Sequence, residues 1–161
     1  MTIEQYRIPK TVWTEADFDQ MSWHDVHVHA VAFRPDILEL WLDIDYIFSW
    51  VAPQQTETYY SFWVAPATLI FENVYDLEFT IGSRVGEMSL QGIGRTGPSA
   101  PRFPVTKQHE WHWLLEFNEG QMTFSSVGFT QFTRRLPTLV QTQRLGFEQR
   151  GGISFERAEA S

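Results

Sequence analysis

The chain has 161 residues, a length that fits one domain, and its 43% hydrophobic and 16% aromatic content excludes a disordered polypeptide. It contains no cysteine, which removes disulfide scaffolds, thiolate zinc sites, redox motifs and cysteine nucleophiles. A formal net charge of -8 speaks against nucleic acid and anionic membrane as partners.

Residues 1–12 form an N-terminal arm with no basic start followed by an apolar run, so no signal peptide is expected, and no stretch is long and clean enough to span a bilayer. The expected compartment is the cytoplasm. Thr14-Glu15-Ala16-Asp17 has the pattern of a helix start, with Thr14 as N-cap and acids in the first turn. A short helix to Met21 follows. The pattern then switches to period two. Val26, Val28, Ala30 and Ala32 alternate with polar residues, as do Leu38, Leu40, Leu42 and Ile44, and Arg34-Pro35-Asp36 supplies a turn between them. Further strands are predicted over 60–64, 68–73, 75–81, 87–91, 109–118 and 121–134, with a tight turn at Glu119-Gly120. A last pair over 145–149 and 153–157 places Phe147 opposite Phe155, and the tail 158–161 is expected to fray. The prediction is one all-β domain over 1–161: a mostly antiparallel two-sheet sandwich or partly open barrel with one short N-terminal helix.

Residues 92–105 are predicted to be a long loop, since 92–104 holds three Gly and three Pro. Gly92-Ile93-Gly94-Arg95-Thr96-Gly97 matches the dinucleotide fingerprint in letters only. Pro98, Pro101 and Pro104 follow where a helix N-terminus must receive the pyrophosphate.

Two features suggest function. The first is a cluster of His24, Asp25, His27 and His29 within six residues, of which Asp25, His27 and His29 project from one face of the predicted strand. An even hairpin register sets His27 opposite Asp43 or Asp45, and His29 opposite Trp41 or Asp43. His27, His29, Asp43 and Asp45 then share a face. They could hold a divalent metal, form an Asp–His general base, or serve as cross-strand ion pairs or a dimer surface. No cofactor is implied beyond that metal. The second feature is charge. Residues 1–80 carry 13 acids and 3 bases, whereas residues 81–161 carry 7 acids and 9 bases. The two halves either attract each other within the fold, or the acidic half faces a basic partner. An aromatic excess around Trp41, Tyr46, Phe48 and Trp50 favours a protein interface, with Trp41, Asp43, Asp45 and Tyr46 as its candidate residues.

The run Ser22-Trp23-His24-Asp25, then Val28, Leu42-Asp43-Ile44-Asp45-Tyr46-Ile47, Trp63-Val64-Ala65-Pro66-Ala67-Thr68-Leu69-Ile70-Phe71-Glu72-Asn73-Val74 and Asp76-Leu77, resembles a group of uncharacterised bacterial proteins. In a looser form it is similar to small immunity proteins of toxin systems. The resemblance covers residues 22–78 and implies no catalytic residues. The expected function is a non-catalytic, acidic protein-binding module of immunity type. The alternative is a metal- or small-ligand-binding β protein built on the His/Asp cluster. Homo-oligomerisation through the same face or a strand edge is a third possibility.

Overall fold

The computed structural model describes residues 6–102 and 109–161. Its strands are β1 (Val12–Thr14), β2 (Val26–Arg34), β3 (Glu39–Val51), β4 (Ser61–Glu72), β5 (Tyr75–Ile81), β6 (Met88–Ser99), β7 (Glu110–Phe117), β8 (Gly120–Ser126), β9 (Gly128–Thr133) and β10 (Thr138–Val140). One 3-10 helix, Glu15–Gln20, starts where Thr14 was expected to cap it, and the Thr14 N–H donates to Asp17 Oδ2 at 2.9 Å. The strands form one antiparallel sheet in the order β1-β9-β4-β3-β2-β6-β7-β8-β5, with β10 on β4 beyond the end of β9. The all-β antiparallel prediction holds.

The sheet folds back on itself without closing into a barrel. Phe71 of β4 meets Trp113 of β7 at 5.2 Å and Phe124 of β8 at 4.8 Å, and Trp113 reaches Phe129 of β9 at 5.9 Å. The core therefore lies between β3-β4-β9 and β7-β8, with Trp23 buried in it. Two narrow joints allow the fold-over. Strand β2 pairs with β6 through only Val26, His27 and Val28. The predicted single strand over 121–134 breaks at Val127–Gly128, where Gly128 has φ +148 and a Cβ would stand 2.5 Å from Glu15 Cγ. Only glycine meets both conditions.

Elsewhere the predicted elements need correction. The strands expected over 60–64 and 68–73 are one strand, β4, running through Pro66. The Pro66 carbonyl accepts from the Arg134 N–H, so its missing donor falls on the same side, between the β10 and β9 pairings. The loop expected at 92–105 is largely strand β6, which pairs with β7 as far as Ser99; residues 103–105 lie outside the described residues. Gly92 and Gly94 have open space where a Cβ would sit, and Pro98 falls in a bulge between Thr96 and Ser99, so neither interrupts the ladder. The final strand pair does not form. Residues 141–161 run as an irregular strap over the outer face of β3, β4 and β9. Phe147 is exposed while Phe155 packs on Trp41 at 5.8 Å. The end of the strap lies against β9, where the Ala160 N–H donates to the Thr133 carbonyl at 2.8 Å.

Candidate functional site

The β2–β3 hairpin begins in the register that the alternation requires, with His27 opposite Asp45. A bulge at His29 then shifts the pairing, so that Ala30 lies opposite Asp43 and Val31 opposite Leu42. Past the bulge the apolar core contacts come from Val31 rather than from Ala30 and Ala32. The bulge also lets His29 swing back along β3, where its Nε2 donates to Asp45 Oδ2 at 2.7 Å.

The predicted face is thus assembled, but the strap seals it. Asp43 and Asp45 are fully buried. Arg150, buried with them, donates from Nη1 and Nη2 to Asp43 at 2.8 and 2.5 Å and from Nε to Asp45 at 2.9 Å. Arg134 adds a bond to Asp43 at 2.8 Å and another to Thr68 Oγ1. The backbone N–H groups of Leu145 and Ser154 complete the two carboxylates. Burial pushes the Asp45 carboxyl pKa up. The His29 hydrogen bond, the Arg150 charge and the Leu145 N–H outweigh it and hold the value below the ordinary 3.8. The facing carboxylates raise the Arg150 pKa in spite of burial. Every carboxylate oxygen faces a donor, so as metal ligands Asp43 and Asp45 would each exchange a guanidinium for the ion. Among the described residues no group of three or more His, Asp or Glu is arranged to hold a metal. The Asp–His pair that a general base requires is present as Asp45–His29, but the His29 side chain is only 10% exposed.

The candidate partner surface is likewise displaced. Asp43, Asp45 and Tyr46 are buried, and Tyr46 Oη accepts the Ser22 N–H inside the fold. Burial raises the Tyr46 pKa to about 12. Trp41 alone keeps exposed surface, with Arg34 over its ring at 4.6 Å. The two halves also attract each other within the fold. Arg95, Arg102, Arg134, Arg150 and Arg157 of the second half pair with Glu15, Asp76, Asp43, Asp45 and Glu39 of the first. Pattern reading misses Arg134 and Arg150 because it places Arg134 at the end of the strand 121–134 and Arg150 in the turn between 145–149 and 153–157, and alternation gives no sign of a carboxylate partner about a hundred residues away. The basic surplus of residues 81–161 was their only trace.

Two open features stand out among the described residues. The first is a depression of about 280 Å³ lined by polar side chains, among them Asp25, His27, Glu87, Asn118, Gln143 and Arg144. Gln91 and Gln143 donate to the two oxygens of Asp25 at 3.2 and 2.9 Å, and Arg144 pairs with Glu87 at 2.9 Å. The His27 ring stands edge-on to His29 at 4.5 Å. Burial, then His29 and Arg144, lower its pKa below 6.5, so it is neutral at neutral pH. The second is an apolar groove of about 210 Å³ between the β2–β3 turn and β5, lined by Phe33, Leu38, Leu40, Val74, Tyr75 and Leu77. No helix among the described residues is long and apolar enough to cross a membrane. Comparison with protein-family models, with curated proteins and with solved structures gives no match.

Proposed function

We propose that the chain is a cytoplasmic, non-catalytic protein-binding module, of the immunity type that its first half resembles, and that it docks through the apolar groove. The observation that carries this reading is a contiguous exposed apolar patch. Phe33 and Ile37 at the β2–β3 turn are each 46% exposed, and Phe79 on β5 is 50% exposed and meets Phe33 at 6.0 Å. Patches of this kind on a small domain mark interaction surfaces. The partner supplies apolar side chains for the groove and a basic surround, because the net charge of -8 steers basic proteins toward this molecule. The rim carboxylates Asp36, Glu39 and Asp76 are already paired with arginines, so charge acts on approach more than in the bound state.

The test is surface plasmon resonance, which reads affinity and both rates, with purified basic proteins of the native host over the immobilised chain. Leu77→Lys with Phe79→Lys should weaken binding by at least about tenfold, and added salt should slow association while leaving dissociation unchanged. Equal affinity of the double variant, or no complex, sinks the reading.

A second reading, a metal- or small-ligand-binding β protein, draws on the polar depression and the neutral His27 within it. Metal content of tag-free protein, compared with a His27→Ala variant, separates its metal form from the first reading.

A further inference from the structure

The polar depression has a composition that selects among ligands. Its charges are answered within its own walls: Glu87 by Arg144, and Asp25 by the amides of Gln91 and Gln143. What remains for a ligand is a set of neutral hydrogen-bonding groups: the His27 ring, Ser89, Asn118, the rest of Gln143 and, as an acceptor, Thr142, whose hydroxyl donates to the Arg144 carbonyl. An anion would meet Asp25 and Glu87, and a cation would meet Arg144. A neutral molecule with many hydroxyls meets no such penalty.

Aromatic rings begin where the depression ends. His24 Nε2 lies 3.4 Å from Asp25 Oδ2, and the His24 ring stacks on Trp50 with centroids 5.9 Å apart and planes 17° apart. Trp50 meets Tyr60 at 6.3 Å, and the two remain 44% and 49% exposed. Exposed rings beside a hydrogen-bonding pit match a ligand with one C–H face and an equatorial fringe of hydroxyls. We propose that this surface is a carbohydrate-binding site. One sugar ring sits in the depression at His27, Asn118 and Gln143, and a second lies against Trp50 and Tyr60. This site is separate from the apolar groove and does not depend on it.

The experiment is an NMR titration of the whole chain with glucose, galactose, mannose, N-acetylglucosamine, cellobiose and chitobiose. The side-chain N–H signals of Trp50, Asn118 and Gln143 are followed. The expected result is saturable movement of all three with at least one sugar, with a disaccharide binding more tightly than its monosaccharide. Trp50→Ala and Asn118→Ala, both at surface positions, should each weaken that binding by at least about tenfold while the melting temperature stays within a few degrees of wild type. No saturable movement with any sugar overturns the proposal. So does movement that survives in both variants, or movement of the same signals by citrate or choline but by no sugar.

Discussion

Arg150 closes its guanidinium on Asp43 through two hydrogen bonds of 2.8 and 2.5 Å, joining positions 107 residues apart with neither side chain exposed to solvent. A bidentate arginine–carboxylate pair fixes orientation as well as distance. It ties the strap to the centre of β3, and Nε extends the grip to Asp45.

Breaking this pair from one side should cost far more than its net contribution to stability. Arg150→Met leaves Asp43 and Asp45 buried with Arg134 as the remaining guanidinium partner, on Asp43, and with the His29 hydrogen bond on Asp45. The expected loss in urea unfolding is about 3–5 kcal/mol. Removing the charge from both sides, with Asp43→Asn in the Arg150→Met background, should recover part of that loss. If the double variant is no more stable than Arg150→Met, the buried charge is not what the arginine offsets.

The strap holds to the sheet mainly through polar anchors, so its one buried apolar residue matters. Leu145 is 4% exposed and packs with Ile47, Phe62 and Val64 in a small second core. Leu145→Ala should destabilise the protein by about 2–5 kcal/mol. Phe147→Ala, in the same segment but 60% exposed, should change stability by no more than about 0.5 kcal/mol. Equal effects of the two would show that the strap does not pack as described.

Much of this was legible from alternation, and the failures have physical causes. The hairpin, the β5 strand and the Thr14 cap carry strong local signals, and each forms where expected. Alternation cannot register a bulge, so His29 was given the wrong neighbours although Asp43 and Asp45 were rightly placed on its face. Glycine and proline density at 92–104 imitates a loop, but a partner strand on β7 satisfies the backbone regardless. The strap reads as a strand pair because 145–149 and 153–157 alternate, whereas its order comes from Arg150 and from the Leu145 and Ser154 N–H groups on the β3 carboxylates, long-range contacts that alternation does not register. Buried carboxylates were consequently read as surface carboxylates.

Two titrating groups predict how stability follows pH. Asp45 has a folded pKa below its ordinary 3.8, so the unfolded chain takes up the proton first as pH falls. Its contribution is complete above about pH 4 and disappears as pH drops through the folded value. His27 has a folded pKa below 6.5, so here too the unfolded state binds the proton first, and stability declines from about pH 6.5 downward until the folded ring also titrates. Urea unfolding at pH 7.5, 6.5, 5.5, 4.5 and about 3 should show a decline between 7.5 and 5.5 that His27→Gln lacks, and a further decline below about 4, shared with Asp17 and the exposed Asp36, that is smaller in Asp45→Asn. Parallel curves for wild type and His27→Gln would remove the half-buried, neutral His27 from the depression.

The corner at Gly128 can be dissected into its two causes. A methyl group there meets Glu15 Cγ at 2.5 Å, and φ is +148 whatever the neighbour. Gly128→Ala should therefore destabilise by more than about 1 kcal/mol, the sum of a steric part and a backbone part. Glu15→Ala removes the obstructing side chain along with its ion pair to Arg95 at 3.3 Å, a partly exposed pair worth at most about 1 kcal/mol. In a double-mutant cycle, Gly128→Ala should cost less in the Glu15→Ala background than in wild type, and the residual cost holds the backbone part together with the 3.0 Å contact to the Cβ that residue 15 keeps. Sheet folding at this corner depends on glycine for its φ, so that residual should stay clearly above zero. A cost that vanishes in the Glu15→Ala background would assign the glycine to the packing of the 3-10 helix and leave the reversal of the sheet without a residue that requires it.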